Sequence, residues 1–241
     1  MTAAPAPKPA LKTGSPGADS PLAVAAVDLH ADIAGVVFWP EQGLLAVADL
    51  HLEKGSSYAE RGVLLPPYDT AATLGRLVLL MTRYAPRVVI ALGDSFHDDD
   101  GAGRVAAADR AALAALQRGR DWIWIAGNHD RRPANGVGGG SAGAIAIGGL
   151  VFRHEPTGAE GEIAGHLHPV ARVSRRGHTM SRRCFAADRT RLIMPAFGAF
   201  AGGLNVRHRA FADVFGTLAF TAHLLGEGRL YALAASRCLR D

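Results

Sequence analysis

Five apolar runs in this chain end abruptly in clusters of Asp, Asn and His. Leu44-LAVA-Asp49 runs into HLEKG, Val88-VIAL-Gly93 into DSFHD, Trp122-IWIA-Gly127 into NHDRR, Leu150-VF-Arg153 into HEP, and Gly161-EIA-Gly165 into HLHP. Short continuous apolar runs of this kind are strands buried on both faces. A strand that leaves the core straight into carboxylates and imidazoles needs something to offset them, because an unpaired buried charge costs several kcal/mol. The constraint is therefore a sheet with its polar groups gathered at strand ends, where they form either solvated turns or a site for divalent cations.

Between the early strands lie helical patterns. Tyr68 to Tyr84 carries Leu74, Leu77, Val78 and Met81 at helical spacing, with Pro66 and Pro67 ahead of it. Val105 to Gln117 is Ala-rich with Leu113 and Leu116, and Gly119 follows as a stop signal. Strands alternating with helices predict an α/β fold whose binding residues collect at the carboxyl ends of the strands. From Val170 onward helical periodicity is poor and short apolar pairs dominate, which predicts a mostly β second half forming another sheet on the first. Gly136 to Gly149 reads as a mobile Gly/Ala-rich loop passing into an edge strand. With 241 residues, 49% of them hydrophobic, the chain has enough apolar material for one large domain over 22–241, after a flexible tail at 1–21 rich in Ala, Pro and Gly.

Several classes are excluded or narrowed. No apolar stretch approaches the roughly 18 residues of a membrane span, and the N-terminus has no apolar signal-peptide core. Two cysteines, Cys184 and Cys238, are too few for a disulfide framework, so a reducing cytoplasm is expected. The net charge of +4 favours an anionic partner.

The polar clusters supply Asp49 and His51, Asp94, Asn128 and His129, His154, and His166 with His168. In an extended stretch residues i and i+2 face the same side, so Asp49 with His51 and His166 with His168 are each ready chelates. Carboxylate, imidazole and amide donors suit Mn, Fe, Zn or Mg, and the absence of thiolates argues against a structural zinc knot. Two divalent cations about 3.5–4 Å apart require a shared carboxylate. Asp94 is placed to be that bridge, with Gly93 letting the turn come close.

In this order DxH, GDxxHD, GNHD, a lone His and GHxH resemble the calcineurin-like metallophosphoesterases. The resemblance implies two facing mixed β-sheets flanked by helices, in an α/β/β/α sandwich. It implies that Asp49, His51 and His168 hold one metal, that Asn128, His154 and His166 hold the other, and that Asp94 bridges both. A hydroxide between the metals would attack phosphorus while His129 protonates the leaving oxygen. Asp130 completes the GNHD motif and is grouped with the catalytic residues. GDSFH is also similar to a GDxFH motif of double-strand-break repair nucleases, so His97 is expected to position phosphate or support His129. Asp99 and Asp100 are expected to be a solvated turn.

Longer stretches narrow the likeness. ADLHLEKGSSYAERGVLLPPYDT, LGDSFHD, RDWIWIAGNHD, EIAGHLHPVARV and MPAFGAFAGGLNV resemble the bacterial ligase-associated DNA-damage-response endonucleases over roughly Leu44 to Val206. That resemblance implies a manganese-dependent DNA repair nuclease in the cytoplasm, working beside an ATP-dependent DNA ligase, a helicase and an exonuclease. A homodimer is compatible with it. Candidate phosphate-holding residues are Arg131 and Arg132, directly after the GNHD motif, and Arg172, Arg175 and Arg176 in a stretch with seven arginines and one acid, Asp188. Phe197 and Phe200 are candidates to stack on bases, with core packing as the plainer role, and Lys54 and Tyr58 to line the cleft. Hydrolysis of small nucleotides or pyrophosphates uses the same metal centre and is the alternative. A non-catalytic scaffold ranks below it because His129 is present.

Overall fold

A computed structural model describes residues 19–133 and 135–241. Of the tail expected at 1–21, residues 1–18 lie outside the described residues. Asp19 to Pro21 belong instead to the first strand, paired with residues 30–32.

The first sheet runs β1 (Asp19–Val24), β2 (Val27–Asp32), β3 (Val37–Trp39), β4 (Leu44–Val47), β5 (Val88–Leu92), β6 (Asp121–Ile125) and β7 (Gly140–Ala142) in spatial order. Pairings from β1 to β4 are antiparallel and those from β4 to β7 parallel. The parallel half requires crossovers, and the chain supplies α1 (Lys54–Glu60), α2 (Asp69–Tyr84), α3 (Gly101–Arg104) and α4 (Ala107–Gln117) for them. The second sheet contains β8 (Ala144–Ile147), β9 (Leu150–Arg153), β10 (Glu162–Ala164), β11 (Pro169–Arg175), β12 (His178–Ala187), β13 (Leu192–Ile193), β14 (Leu204–Asn205), β15 (Thr221–Leu225) and β16 (Leu230–Ala234), with α5 (Arg209–Phe215) inserted. Its order is β14-β11-β12-β13-β10-β9-β8, and β15 carries β16 on the other part of β12.

Side-chain alternation along the central strands builds three cores. On β4 and β5, Leu45, Val47, Val89 and Ala91 face the helices and meet Leu74, Leu77, Leu80 and Met81 of α2 with Leu113 and Leu116 of α4. Leu44, Ala46, Ile90 and Leu92 face the other way and pack on Leu150, Phe152, Ile163 and Phe185 of the second sheet. Beyond that sheet, Phe211 and Val214 of α5 cover Ala164, Ala186 and Ala222. Each fully buried Leu or Phe contributes about 1.5–3 kcal/mol. The layers are helix, sheet, sheet, helix, as the family resemblance implied, and among the described residues no helix is long and apolar enough to cross a membrane.

Three elements depart from expectation. α5 lies in Ala210-FADVFG, where no helical periodicity is visible, because two turns are too short to show it. His208 caps it by accepting from the Ala210 N–H at 3.3 Å, and Gly216 ends it with φ 73°. The Leu192-IMPAFGAFAGG stretch is a strand for two residues only, and its remainder is a loop across the strand ends. Gly136 to Gly149 holds two strands, β7 closing the first sheet and β8 opening the second.

Candidate metal centre

The donors stand just beyond the carboxyl ends of strands that are neighbours in each sheet. Asp49 and His51 follow β4, Asp94 follows β5, and Asn128 and His129 follow β6, three adjacent parallel strands. His154 follows β9 while His166 and His168 follow β10, a parallel pair in the facing sheet. The sandwich thus brings both sets of strand ends to one edge.

The chain does not reach this geometry through extended backbone. Asp49, His51, Asp94, His166 and His168 all have positive φ, between 43° and 68°. Alternating left-handed residues turn the i and i+2 side chains inward, which corrects the extended pairing expected above. Such residues store about 1–3 kcal/mol each and persist where surrounding contacts over-determine them. Asp and His tolerate this region better than most side chains do. Contacts holding them include the His51 N–H to the Asp94 carbonyl at 2.9 Å, the His129 N–H to Asp94 Oδ1 at 2.9 Å and the His166 N–H to Asp49 Oδ2 at 3.1 Å.

Two donor clusters result, Asp49 with His51 and His168, and Asp94 with His154 and His166, each with ligand atoms within 4.8 Å of one another. In the first, His168 Nε2 is 3.4 Å from His51 Nε2 and 3.2 Å from Asp49 Oδ1. In the second, His154 Nε2 lies 2.8 Å from Asn128 Oδ1, 3.2 Å from His166 Nδ1 and 3.4 Å from Asp94 Oδ2, and Asn128 Oδ1 lies 3.0 Å from His166 Nδ1. Ligands bonded at about 2.0–2.2 Å to one ion stand roughly 3.0–3.5 Å apart along the edges of its polyhedron. The clusters are contiguous, with His154 Nδ1 3.7 Å from Asp49 Oδ1. His154 Nδ1 donates to the Leu92 carbonyl at 2.9 Å, which directs Nε2 into the cluster, the outer-shell arrangement typical of metal-binding histidines.

Electrostatics say the same. Asp49 and Asp94 are 0% and 2% exposed, so two carboxylates are buried together. Burial pulls the His154 imidazole down, but its bond to Asp94 and the charges of Asp49 and Asp94 outweigh that and hold it at about 9. Burial likewise pushes Asp94 up, while the His154 pairing and the His129 N–H hold it down at about 2. A proton here does the work of a cation. His51, by contrast, is lowered to about 3 by burial and by His168, so it is a neutral ligand. A divalent ion that takes His154 Nε2 must displace its proton, so affinity should rise with pH, about tenfold per unit for one released proton, until pH passes about 9. Calorimetric titrations of chelated protein in buffers of different ionisation enthalpy read that proton directly, and heats independent of buffer would contradict it.

Glycines set the approach distances. A Cβ on Gly127 would drive into the backbone nitrogen and Oδ1 of Asp94 and stand 2.7 Å from Asp130 Oδ1, and one on Gly93 would enter the His154 ring. Gly127→Ala is expected to destabilise the fold by about 1–3 kcal/mol through overpacking and to lower metal content. A wild-type melting temperature together with two metals per chain would remove this role.

Around the donors, His97 and His129 stack with ring centroids 5.5 Å apart at 17°, and Tyr58 lies 5.5 Å beyond His97. His97 is lowered to about 4 by burial, then by Lys54 and His129, so it is neutral beside the exposed His129. Beside the second cluster opens a hollow of about 330 Å³ lined by Gly127, Asn128, Gly143, Arg153, His154 and Glu155 among others.

Other expected site residues stand elsewhere. Asp130 is 1% exposed, and its carboxylate accepts the N–H groups of Ser95, Phe96 and Gly127 at 2.8, 3.0 and 3.2 Å. It clamps the β5 and β6 loops together and positions the site; it is not a group that meets substrate. Burial, with Asp94 beside it, lifts this carboxyl to about 7 against the pull of those N–H groups. Asp99 is more than a solvated turn, since it accepts the Arg131 N–H at 2.8 Å and holds the segment after the GNHD motif. Arg131 and Arg132 are exposed next to that motif. Arg172 donates to the Arg240 carbonyl near the C-terminus at 3.2 Å. Arg175 and Arg176 occupy the tip of the β11–β12 hairpin, about 20 Å along the strand from Pro169 at roughly 3.3 Å per residue. Phe197 is a fully buried core residue, while Phe200 is 38% exposed. Sequence reading missed Arg76, a lone cation in the apolar run of α2, and did not separate Arg183 from its neighbours; both reach the loop beside Asp49.

Against solved structures, the chain is similar to the Pseudomonas putida nuclease MPE, with a TM-score of 0.68 and 27% identity over 89% of this chain and all of that one. The fold is that of the metallophosphoesterases. Two facing mixed sheets, helices outside and paired donor clusters at the strand ends make this chain a metal-dependent phosphoesterase in architecture. A phosphoesterase from E. coli, Yfce, is also found, at a TM-score of 0.40 and 11% identity over 80% of this chain and 98% of that one. No family model and no curated protein matches the sequence.

Proposed function

We propose that this metallophosphoesterase is a two-metal phosphodiesterase that cleaves DNA. The observation carrying the reading is the pair of contiguous donor clusters, the second including the buried Asp94, with His129 exposed beside them. Two divalent cations held there supply Lewis acidity for the phosphoryl group and an activated water. Asp49, His51 and His168 would hold one cation and Asn128, His154 and His166 the other, with the Asp94 carboxylate available to both. His129 gives its proton to the leaving oxygen, and the His97 ring stacked against it fixes its plane. Arg131 and Arg132, next in the chain, hold substrate phosphate.

DNA as the substrate is supported by the nuclease named in the MPE comparison, at 27% identity over its whole length, and by the chain's net charge of +4. The ligand set accommodates Mn, Zn, Fe or Mg, and we favour Mn. The buried free thiols Cys184 and Cys238 suit a reducing cytoplasm. Repair alongside an ATP-dependent ligase, a helicase and an exonuclease is the setting this reading favours. Chelator-stripped protein restored separately with Mn, Zn, Fe and Mg, assayed on DNA, bis-p-nitrophenyl phosphate and small nucleotides, tests it. Metal-restored cleavage of DNA is expected. Turnover confined to small nucleotides would replace the nuclease reading.

A further inference from the structure

Along the loop between β13 and β14, backbone carbonyls are gripped by cations from three different elements. Arg183 on β12 donates to the Ala196 carbonyl at 2.8 Å, Arg76 on α2 donates to the Phe197 carbonyl, and Lys54 at the start of α1 donates to the Phe200 carbonyl at 3.0 Å. Arg76 also stacks on the Phe197 ring, 4.4 Å from its centroid. The same loop is bonded to the strand end that presents the first donor cluster. Phe197 N–H donates to the Ala48 carbonyl at 2.9 Å and Gly198 N–H to the Asp49 carbonyl at 3.0 Å. Lys54 is near enough to His51 and His97 to act on both.

None of these three cations has a carboxylate within ion-pair distance among the described residues, and residues 1–18 contain no Asp or Glu. Arg83, Arg104, Arg153 and Arg191 each hold an acid. Burial lowers the pKa of Arg76 and of Arg183, and Arg183 lowers Arg76 further, so two half-buried guanidiniums face each other uncompensated. A carbonyl takes only part of the five-donor fork, leaving N–H groups for an anion, and phosphate matches that fork.

We propose that Lys54, Arg76 and Arg183 form a track for the phosphates flanking the scissile one in a polynucleotide, so that the strand leaves the metal site along the β13–β14 loop. The tip of the β11–β12 hairpin, with Arg175 and Arg176, is not part of the track. Phe200, exposed at the Lys54 end, offers a ring for a base. The inference rests on the phosphodiesterase reading above.

The test compares wild type with the pairs Arg76→Gln/Arg183→Gln and Arg76→Lys/Arg183→Lys, measuring oligodeoxynucleotide binding against salt and kcat and KM on DNA and on bis-p-nitrophenyl phosphate. Glutamine keeps a donor for each carbonyl and removes the charge; lysine keeps the charge. Each lost phosphate contact flattens the dependence of log Kd on log salt by about 0.7 for a single strand, so the Gln pair should lose about 1.4 and raise KM on DNA about tenfold. The rise on the small diester should be smaller, and the Lys pair should keep the wild-type slope. Should the Gln pair fail to fold in a thermal melt, Arg183→Gln alone decides, with an expected loss of about 0.7. An unchanged slope in the charge-removing variant, or equal losses in the Gln and Lys pairs, overturns the track and leaves the nuclease reading standing. A wild type that hydrolyses the small diester but neither binds nor cleaves the oligonucleotide overturns both.

Discussion

Replacing Asp94 with alanine is expected to abolish metal-dependent turnover and to strip the protein of bound metal. Asp94 is 2% exposed, its Oδ2 faces His154 Nε2 at 3.4 Å, and its Oδ1 takes the His129 N–H at 2.9 Å. Its removal deletes the buried charge of the second donor cluster and frees the backbone that carries His129. The loss should exceed the roughly 10–100-fold that follows from deleting an outer-shell partner of a metal ligand. Elemental analysis after gel filtration checks it, and two tightly held metals in the variant would contradict the shared-ligand assignment. Asp94→Asn separates charge from shape, because it keeps an oxygen for the His129 N–H while weakening the hold on cations.

His129→Ala should behave differently, retaining both metals while losing about 10²–10⁴-fold in turnover of DNA, the range expected for a general acid. The proton matters most where the leaving oxygen is a poor leaving group, so bis-p-nitrophenyl phosphate should lose much less than DNA does. This ratio distinguishes a proton donor from a structural histidine, which would depress both substrates alike. Equal losses on the two substrates would take His129 out of the proton-transfer step. His97 lies against His129 with its pKa lowered to about 4 by burial first, so it stays neutral and adds no competing charge.

Much of the site was readable because its chemistry is local in sequence. Asp49 with His51, Asn128 with His129, and His166 with His168 are short words at the ends of apolar runs, and a strand end is where such words collect. Alternating strands and helices in one half and a second sheet in the other were readable too, through apolar runs separated by helical periodicity in the first and its absence in the second. Elements of two turns or fewer were not: α5 carries too few residues for a 3.6-residue period to show, and its His208 cap and Gly216 stop become meaningful only once the helix exists.

By itself, then, the sequence determined the donor types, their order and the strand ends that carry them, because ligand identity and burial pattern are properties of neighbouring residues. Tertiary structure alone decided how those donors converge and what surrounds them. The left-handed turns at Asp49, His51, Asp94, His166 and His168 depend on hydrogen bonds from other strands, such as the His166 N–H to Asp49 across 117 positions. Asp130 faces the backbone of the β5 loop and not the imidazoles, because two of the N–H groups it accepts, on Ser95 and Phe96, reach it only when β5 and β6 pair. Arg76 and Arg183 likewise meet only across the folded loop, while Arg175 and Arg176 ride the tip of the β11–β12 hairpin. Charge density along a chain does not predict charge density in space, since a strand carries its residues about 3.3 Å further out at every step.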